Sequence, residues 1–281
     1  FLITLHNLQL ATNVMSKENL SPLIQVGPKY WSLRSSFNVL GCIDIGTHMA
    51  FIELSSGKFL VLDTVQINSK EKRAIDLLTD GGKLIEAVVA THPFHTMYFK
   101  PFASIYPGLT YYGTPRHLRK IEDIKWSGNL NDEGVRSIWE SDGIYIRIPD
   151  GADFVNPAED NHFISAFVLH MASKTVFVDD TIMYLSNPGC VIRSLLGKNG
   201  DMLFHSSTFK NGLFPTPEAP LQFLAWIRKL CVDWDFDNMC TAHCGNKIGA
   251  AKEQLSLLIE ASAPKLEALA KKNEIKANGK K

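Results

Sequence analysis

Two histidines that follow a short apolar run are the side chains best suited to chemistry. Residues 86–95 read Glu-Ala-Val-Val-Ala-Thr-His-Pro-Phe-His. The apolar part of this run favours a buried strand, and Pro93 ends it because proline has no N–H to donate to a neighbouring strand. We therefore expect His92 and His95 on a loop at the carboxyl end of a strand, which is where ligands bind in open α/β sheets.

The pair by itself leaves two interpretations open. In an isolated pair, one imidazole is commonly exposed and the other packs on an aromatic ring, here Phe94 or Phe99. The other interpretation is a metal site, which needs about four ligands, or three and a water for a catalytic zinc. The choice between them depends on which distant polar side chains approach this loop.

Composition excludes several classes of partner. Lys+Arg and Asp+Glu are both 29, so the formal net charge is zero, and a nucleic-acid surface would need a basic excess. No apolar run approaches the length of a membrane span. We therefore expect a small-molecule ligand or substrate, no nucleic acid and no membrane. The aromatic fraction of 10% leaves room for an apolar homodimer surface.

Five cysteines are scattered without the spacing of a disulfide framework, which predicts a reducing, cytoplasmic location. At the N-terminus, residues 1–14 lack the basic region and cleavage site of a signal peptide, and we interpret them as an extension or a processed remnant. Residues 15–272 are predicted to form a single domain. Residues 273–281 are predicted to be a Lys-rich flexible tail.

Two hairpins and a helix would position the histidine loop. The first hairpin runs from Met49 to Asp63 around a Ser/Gly turn. A helix capped by Asn68 follows and leads into the histidine-bearing strand. The second hairpin spans residues 162–180. A last amphipathic helix, residues 249–271, is expected to be kinked or broken near Pro264.

Four short motifs follow predicted strands: Asp63-Thr64 after the first hairpin, Thr91-His92 after the buried strand, Asp179-Asp180-Thr181 after the second hairpin, and Ala242-His243-Cys244-Gly245 near residue 243. With these four landmarks, most of the chain resembles the metallo-β-lactamase superfamily, which has Gly-Asp-Thr and Gly-His-Gly at the last two. The resemblance implies an α/β fold, an αβ/βα four-layer sandwich in which two packed mixed β-sheets are flanked by helices.

The principal metal motif of that superfamily is eroded here. The family pattern is Thr-His-x-His-x-Asp-His, and only His92 matches it in register. Phe94 stands in place of the second His, Thr96 in place of the Asp and Met97 in place of the last His. Each of these changes removes or weakens a ligand, because Phe offers no lone pair and Met only a soft thioether.

The resemblance still implies a reduced metal site. Asp180 corresponds to the carboxylate that bridges two metals in the family, and His243 to the last ligand. The predicted ligands are His92, His95, Asp180 and His243, with Asp180 also the candidate catalytic residue. They would hold one zinc or iron ion, and a dinuclear site is not expected. The third His of the family has no clear match, and His162 lies one residue from its position.

Two main functions follow from these residues. The favoured one is a depleted member without dinuclear zinc hydrolase activity, which binds a small molecule or a partner in its remnant pocket. The alternative is a mononuclear metal-dependent hydrolase of an ester, thioester, lactone or phosphoester. Redox chemistry at a mononuclear iron ranks last. The predicted pocket is lined by Phe94, Met97, Tyr98, His162 and His205.

Three other side chains receive structural interpretations. His117 is predicted to be solvated on a helix surface. Strand alternation is predicted to turn Asp179 and Asp180 to opposite faces, so that only one of them points into a site.

Overall fold

The structure is a computed structural model that describes residues 22–39, 41 and 43–279. The predicted extension at residues 1–14 lies outside the described residues. None of the helices in the described part combines the length and the apolarity needed to span a bilayer.

A seven-stranded mixed sheet forms the first half of the sandwich. Its order is β1-β2-β5-β6-β7-β8-β9, antiparallel from β1 to β6 and parallel from β6 to β9. The strands are β1 Leu23–Gly27, β2 Tyr30–Ser35, β5 Thr47–Glu53, β6 Phe59–Leu62, β7 Ile85–Val89, β8 Thr110–Gly113 and β9 Trp126–Asn129, and the short pair is β3 Asn38–Val39 and β4 Ile43–Asp44.

The second sheet has five strands in the order β10-β11-β12-β15-β16. Strands β12 and β15 run parallel, and the other neighbours are antiparallel. The strands are β10 Ile144–Arg147, β11 Phe167–His170, β12 Thr175–Val178, β15 Asn238–Thr241 and β16 Asn246–Lys247, and a separate pair is β13 Ile182–Tyr184 and β14 Met202–Phe204.

Seven α-helices of the described chain cover the sheets, with two short 3-10 turns at Glu140–Asp142 and Ser206–Phe209. The α-helices are α1 Ser69–Thr79, α2 Phe99–Ile105, α3 Pro115–Lys120, α4 Glu133–Arg136, α5 Cys190–Leu195, α6 Ala219–Asp233 and α7 Ala251–Asn278.

Side-chain alternation in the first sheet explains the layers. Met49 and Phe51 of β5 join a core that includes Phe102 of α2. Their neighbours Ala50 and Ile52 join a second core, which also contains residues of β11, β12, α6 and α7. A strand that is apolar on both faces must lie between two packed layers. The order is thus helix, sheet, sheet, helix, which confirms the predicted fold class.

Local signals set the helix starts as predicted. The Asn68 side chain accepts hydrogen bonds from the N–H groups of Lys70 and Glu71, while Glu71 accepts from the N–H of Asn68. This reciprocal capping box satisfies N–H groups that have no partner inside helix α1.

The predicted end of the last helix was wrong. Helix α7 continues without interruption through Pro264 to Asn278, so residues 273–278 of the predicted tail are helical. A proline inside a helix costs about 3 kcal/mol. Burial of Ala263, Leu266 and Ala270 in the core on either side of the proline offsets that cost.

The second hairpin is shorter than predicted. Strand β11 begins only at Phe167, and β12 already ends at Val178. Residues 162–166 and 179–180 therefore lie outside the strands, so period-two alternation does not govern where their side chains point.

Candidate metal centre

Three strand ends bring the predicted site residues together. His92 follows β7, Asp180 follows β12 and His243 follows β15. The His92 Nε2 atom lies 3.5 Å from Asp180 Oδ2, and His243 Nε2 lies 3.0 Å from Asp180 Oδ1. Residues far apart in the chain thus meet at one edge of the two sheets.

Asp180 lies at the centre of this group. Besides His92 and His243, its carboxylate faces His95 Nε2 at 3.7 Å and His162 Nδ1 at 3.9 Å. Asp180 is buried, yet its Oδ1 atom accepts no hydrogen bond among the described residues. We call these five residues the mouth cluster: His92, His95, His162, Asp180 and His243.

The hydrogen bonding of His243 bears on the unpaired Oδ1 atom of Asp180. His243 Nδ1 lies 2.5 Å from the carbonyl oxygen of Gly46, to which it donates. A neutral ring therefore presents a lone pair at Nε2 to Asp180, and an imidazolium presents a second N–H. The contact of 3.0 Å between Nε2 and Asp180 Oδ1 thus needs a positive charge, which is either a second proton on His243 or a bound cation.

His95 is oriented in the same way. Its Nδ1 atom faces Asp179 Oδ1 at 3.5 Å, and its Nε2 atom faces Asp180. Metal-bound histidines usually turn the second ring nitrogen to a carboxylate or a carbonyl group. His95 and His243 both have such a partner at Nδ1, so both can offer Nε2 to one ion beside Asp180 Oδ1.

His92 has the opposite arrangement. The N–H of Phe94 donates to His92 Nδ1, and His92 Nε2 donates to the carbonyl oxygen of His162 at 3.1 Å. A ligand bound through Nε2 would need its proton at Nδ1, where a donor already points. The hydrogen bonds therefore argue against His92 as a ligand, although its donor atom lies within 4.8 Å of those of His95 and Asp180.

The charge states of the mouth cluster suit a cation. Burial alone would raise the pKa of Asp180, but the neighbouring His243 and His92 rings hold that pKa well below its usual value. Burial alone would lower the pKa of His95, but the surrounding carboxyl groups raise it well above its usual value. The carboxylates that favour a proton on His95 would equally favour a bound metal ion.

A second group of polar side chains lies beneath the mouth cluster. The hydroxyl of Thr91 lies 2.7 Å from Asp63 Oδ2 and also contacts Asp179 Oδ2. One hydroxyl hydrogen cannot serve two carboxylates, so one acid must carry a proton. Burial first, and the Asp179 charge second, raise the pKa of Asp63 to about 8. Asp63 is therefore the protonated partner.

Asp179 is the ionised acid of this second group. Burial alone would raise its pKa, but hydrogen bonds from His48 and His95 hold it well below the usual value. His48 Nε2 donates to Asp179 Oδ1 at 3.2 Å, and its ring stacks on Phe177 at 4.0 Å. We call Asp63, Thr91, Asp179 and His48 together the buried acid layer.

The prediction that strand alternation separates Asp179 from Asp180 was wrong, although only Asp180 belongs to the mouth cluster. Both carboxylates face His95, one at each ring nitrogen. The reason is that β12 ends at Val178, so the two acids belong to a loop and escape strand alternation.

The prediction for His117 was also wrong, because this residue is fully buried. Its Nε2 atom donates to the carbonyl oxygen of His95 at 3.1 Å, and its Nδ1 atom lies 2.8 Å from Thr114 Oγ1. Burial lowers its pKa to about 3, so the ring is neutral. Helix α3 thus holds the histidine loop in place from one side.

The five residues predicted to line the pocket differ in how exposed they are and in which elements they adjoin. The Phe94 ring lies 4.5 Å from the ring of His162, whose side chain is 47% exposed at the rim. Met97 is 64% exposed, and Tyr98 precedes helix α2. His205 begins a 3-10 turn, and its pKa is lowered by burial, which Asp180 opposes.

Sequence reasoning missed the buried acid layer. It gave Asp63 only as a hairpin landmark and did not single out His48, which lies in a strand that is otherwise almost entirely buried and apolar. One available signal was the position of Asp63 at the end of β6, next to the strand that ends in Thr91-His92.

Comparison with known structures agrees with the fold. The DIM-1 metallo-β-lactamase matches with a TM-score of 0.55 and 15% identity over 85% of this chain and 96% of its own. FIM-1 from Pseudomonas aeruginosa, in its mono-zinc form, matches at 0.53 and 13% over 86% and 95%. A metallo-β-lactamase from Hirschia baltica matches at 0.54 and 14% over 84% and 96%.

The sequence itself matches no protein-family profile and no curated protein. At these identities the structural likeness establishes the fold. The chain therefore has the metallo-β-lactamase fold, with histidine and aspartate groups that could bind a metal ion.

Proposed function

We propose that this protein binds one divalent cation at Asp180, His95 and His243 and hydrolyses a small ester, thioester, lactone or phosphoester there. The observation that carries the proposal is the contact between His243 Nε2 and Asp180 Oδ1. When His243 is neutral both atoms present lone pairs, and the buried oxygen accepts no hydrogen bond from any residue that the structure describes. Two imidazoles and one carboxylate form a donor set that suits zinc or iron.

A single ion is proposed because the other candidate group, Asp63, His95 and Asp179, shares His95 with this site, and its two acids already bind Thr91 and His48. Phe94, Thr96 and Met97 occupy the motif positions that would complete a second site, and His92 is engaged by hydrogen bonds at both ring nitrogens. FIM-1, which shares the fold, has been crystallised in a mono-zinc form, so a one-ion state is compatible with this architecture.

The bound cation would act as a Lewis acid and lower the pKa of a coordinated water. The protein supplies the rest. Asp179 and the Gly46 carbonyl fix the ring nitrogens of His95 and His243. His162, half-exposed beside Asp180, is placed to pass a proton at Nδ1 to a leaving group.

Zinc-dependent hydrolysis tests the proposal directly. We expect zinc-loaded protein to hydrolyse at least one of 4-nitrophenyl acetate, a thioester, a lactone and bis(4-nitrophenyl) phosphate, and chelator-treated protein to hydrolyse none. His243→Ala should lose both zinc and activity. His92→Gln, whose side-chain amide can still donate to the His162 carbonyl, should keep zinc.

A second candidate is a metal-free binding protein of the same fold. The observation that favours it is the hydrogen bonding of His92, which is complete without a metal. It predicts that protein purified without added zinc contains no metal and that zinc does not raise its thermal stability. Zinc binding without hydrolysis of any of the four substrates would reject the hydrolase but keep the metal site.

A further inference from the structure

An exposed carboxylate covers a built cationic site beside the mouth cluster. The Arg116 guanidinium lies 4.4 Å from the centre of the Phe94 ring, and its Nη1 atom donates to the carbonyl oxygen of Pro93. Its Nη2 atom contacts Glu159 Oε2 at 2.5 Å, and Lys120 Nζ lies 3.7 Å from the other oxygen of the same carboxylate. Two cations thus converge on one carboxylate.

The two sides of this ion pair differ in how firmly they are held. The Arg116 side chain is only 12% exposed and is fixed by an aromatic ring and a backbone carbonyl, whereas Glu159 is 68% exposed. Cation–π contact and a backbone hydrogen bond orient the guanidinium whether or not the acid is present. Water screens an exposed ion pair and leaves it a small net contribution, so another anion can displace Glu159.

The position of Arg116 connects this site to the proposed chemistry. The Phe94 ring, over which the Arg116 guanidinium lies, is also 4.5 Å from the ring of His162. His162 in turn faces Asp180. An anion held by Arg116 would therefore lie at the same rim as the proposed reaction. The fork of the guanidinium matches carboxylate and phosphate groups in particular.

We propose that Arg116, with Lys120, binds an anionic carboxylate or phosphate group of the substrate, and that Glu159 occupies this subsite when substrate is absent. The proposal deepens the proposed function and rests on it for the identity of the bond that is cleaved. Anion binding itself requires no metal, so the two can fail separately.

Isothermal titration of chelator-treated protein with succinate, and separately with inorganic phosphate, tests the subsite. Glu159→Ala removes the internal competitor, and we expect it to tighten binding of at least one probe by about tenfold. Arg116→Gln should abolish this binding, and Arg116→Lys should restore part of it. Because Glu159 is exposed, its truncation leaves the fold intact even if an Arg116 variant fails to fold.

Arg119 provides a matched control on the same helix. It donates to the Val155 carbonyl and to Asn156 and forms an ion pair with no carboxylate within residues 43–279, so Arg119→Gln should bind both probes like the wild type. Unchanged affinity in Glu159→Ala, or wild-type affinity in Arg116→Gln, would overturn the proposal. The probe that gains affinity identifies the anionic group as carboxylate or phosphate.

A substrate comparison extends the test to catalysis. With zinc-loaded protein, Arg116→Gln should raise KM for mono-4-nitrophenyl succinate and leave KM for neutral 4-nitrophenyl acetate unchanged. An equal effect on both esters would contradict a role in recognising the anion. If zinc-loaded protein cleaves neither ester while the titrations succeed, the hydrolase proposal fails and the anion subsite stands.

Discussion

The mouth cluster and the buried acid layer are built from the same side chains, carboxylates and imidazoles, yet their carboxylates differ in how completely they are paired. In the layer, Asp179 receives hydrogen bonds from His48 and Thr91, and Asp63 shares the Thr91 hydroxyl. In the mouth cluster, Asp180 Oδ1 receives no hydrogen bond from the described part of the chain, although imidazoles surround it. The difference indicates that the layer serves structure and the mouth cluster serves a ligand.

Removal of each acid should show this difference in stability, and this is the largest effect that we expect. Asp179→Ala leaves His48 and Thr91 buried without their partner and should lower the free energy of unfolding by about 3–5 kcal/mol. Asp180→Ala should change it by less than about 1 kcal/mol in chelator-treated protein, because the N–H groups of His92 and His243 donate to backbone carbonyls and keep their partners. Urea unfolding of both variants measures the contrast.

Equal losses in the two variants would contradict the division into a structural and a ligand-binding region. Zinc sharpens the same comparison. It should stabilise the wild type but not Asp180→Ala, because only binding to the folded state adds stability.

The next prediction concerns His117, which holds the histidine loop by its hydrogen bond to the His95 carbonyl. We expect its effect on the free energy of unfolding to be intermediate in size and to appear at acidic pH. The folded pKa of His117 is about 3 against 6.5 for the free side chain. Its contribution to stability is therefore complete above pH 6.5 and is lost as the pH falls through about 3. One proton taken up on unfolding makes stability fall by about 1.4 kcal/mol per pH unit in this window.

His117→Gln should reduce that slope, measured from urea unfolding at successive pH values. The slope is the readout, since loss of the hydrogen bond to His95 lowers stability at every pH. An unchanged slope would show that His117 is protonated in the folded protein or that another group controls the acid transition.

The smallest effect is expected at the rim. His162→Asn removes a half-exposed imidazole 3.9 Å from Asp180, and it should change the free energy of unfolding by less than about 0.5 kcal/mol. Zinc affinity should fall by less than tenfold, while hydrolysis should fall by about 100-fold because the proton donor is lost. Loss of zinc from this variant would make His162 a ligand.

The sequence predicted the parts of this molecule that depend on local signals. Asn68 and Glu71 encode a helix start within four residues, and the apolar run before His92 forms strand β7, which ends at Val89 and not at Pro93. Periodicity alone does not place one strand end beside another. The convergence of residues 92, 180 and 243 was therefore predicted from the resemblance of the four landmarks to those of the metallo-β-lactamase superfamily.

The features that the sequence did not predict depend on contacts between segments that are far apart in the chain. His117 has the neighbours of a surface helix in sequence, but Phe99 and Trp126 enclose it. The orientation of Asp179 depends on where β12 stops, and strand ends are poorly encoded. The tautomers of His92 and His243 are set by Phe94 and Gly46, whose partners become known only once the chain is folded.

Zinc titration of chelator-treated protein, followed by native mass spectrometry, tests the central claim most directly. The account predicts one zinc ion per chain in the wild type and in His92→Gln, and none in Asp180→Ala or His243→Ala. Two ions in the wild type, none at all, or loss of the ion in His92→Gln would contradict a single centre built on Asp180, His95 and His243.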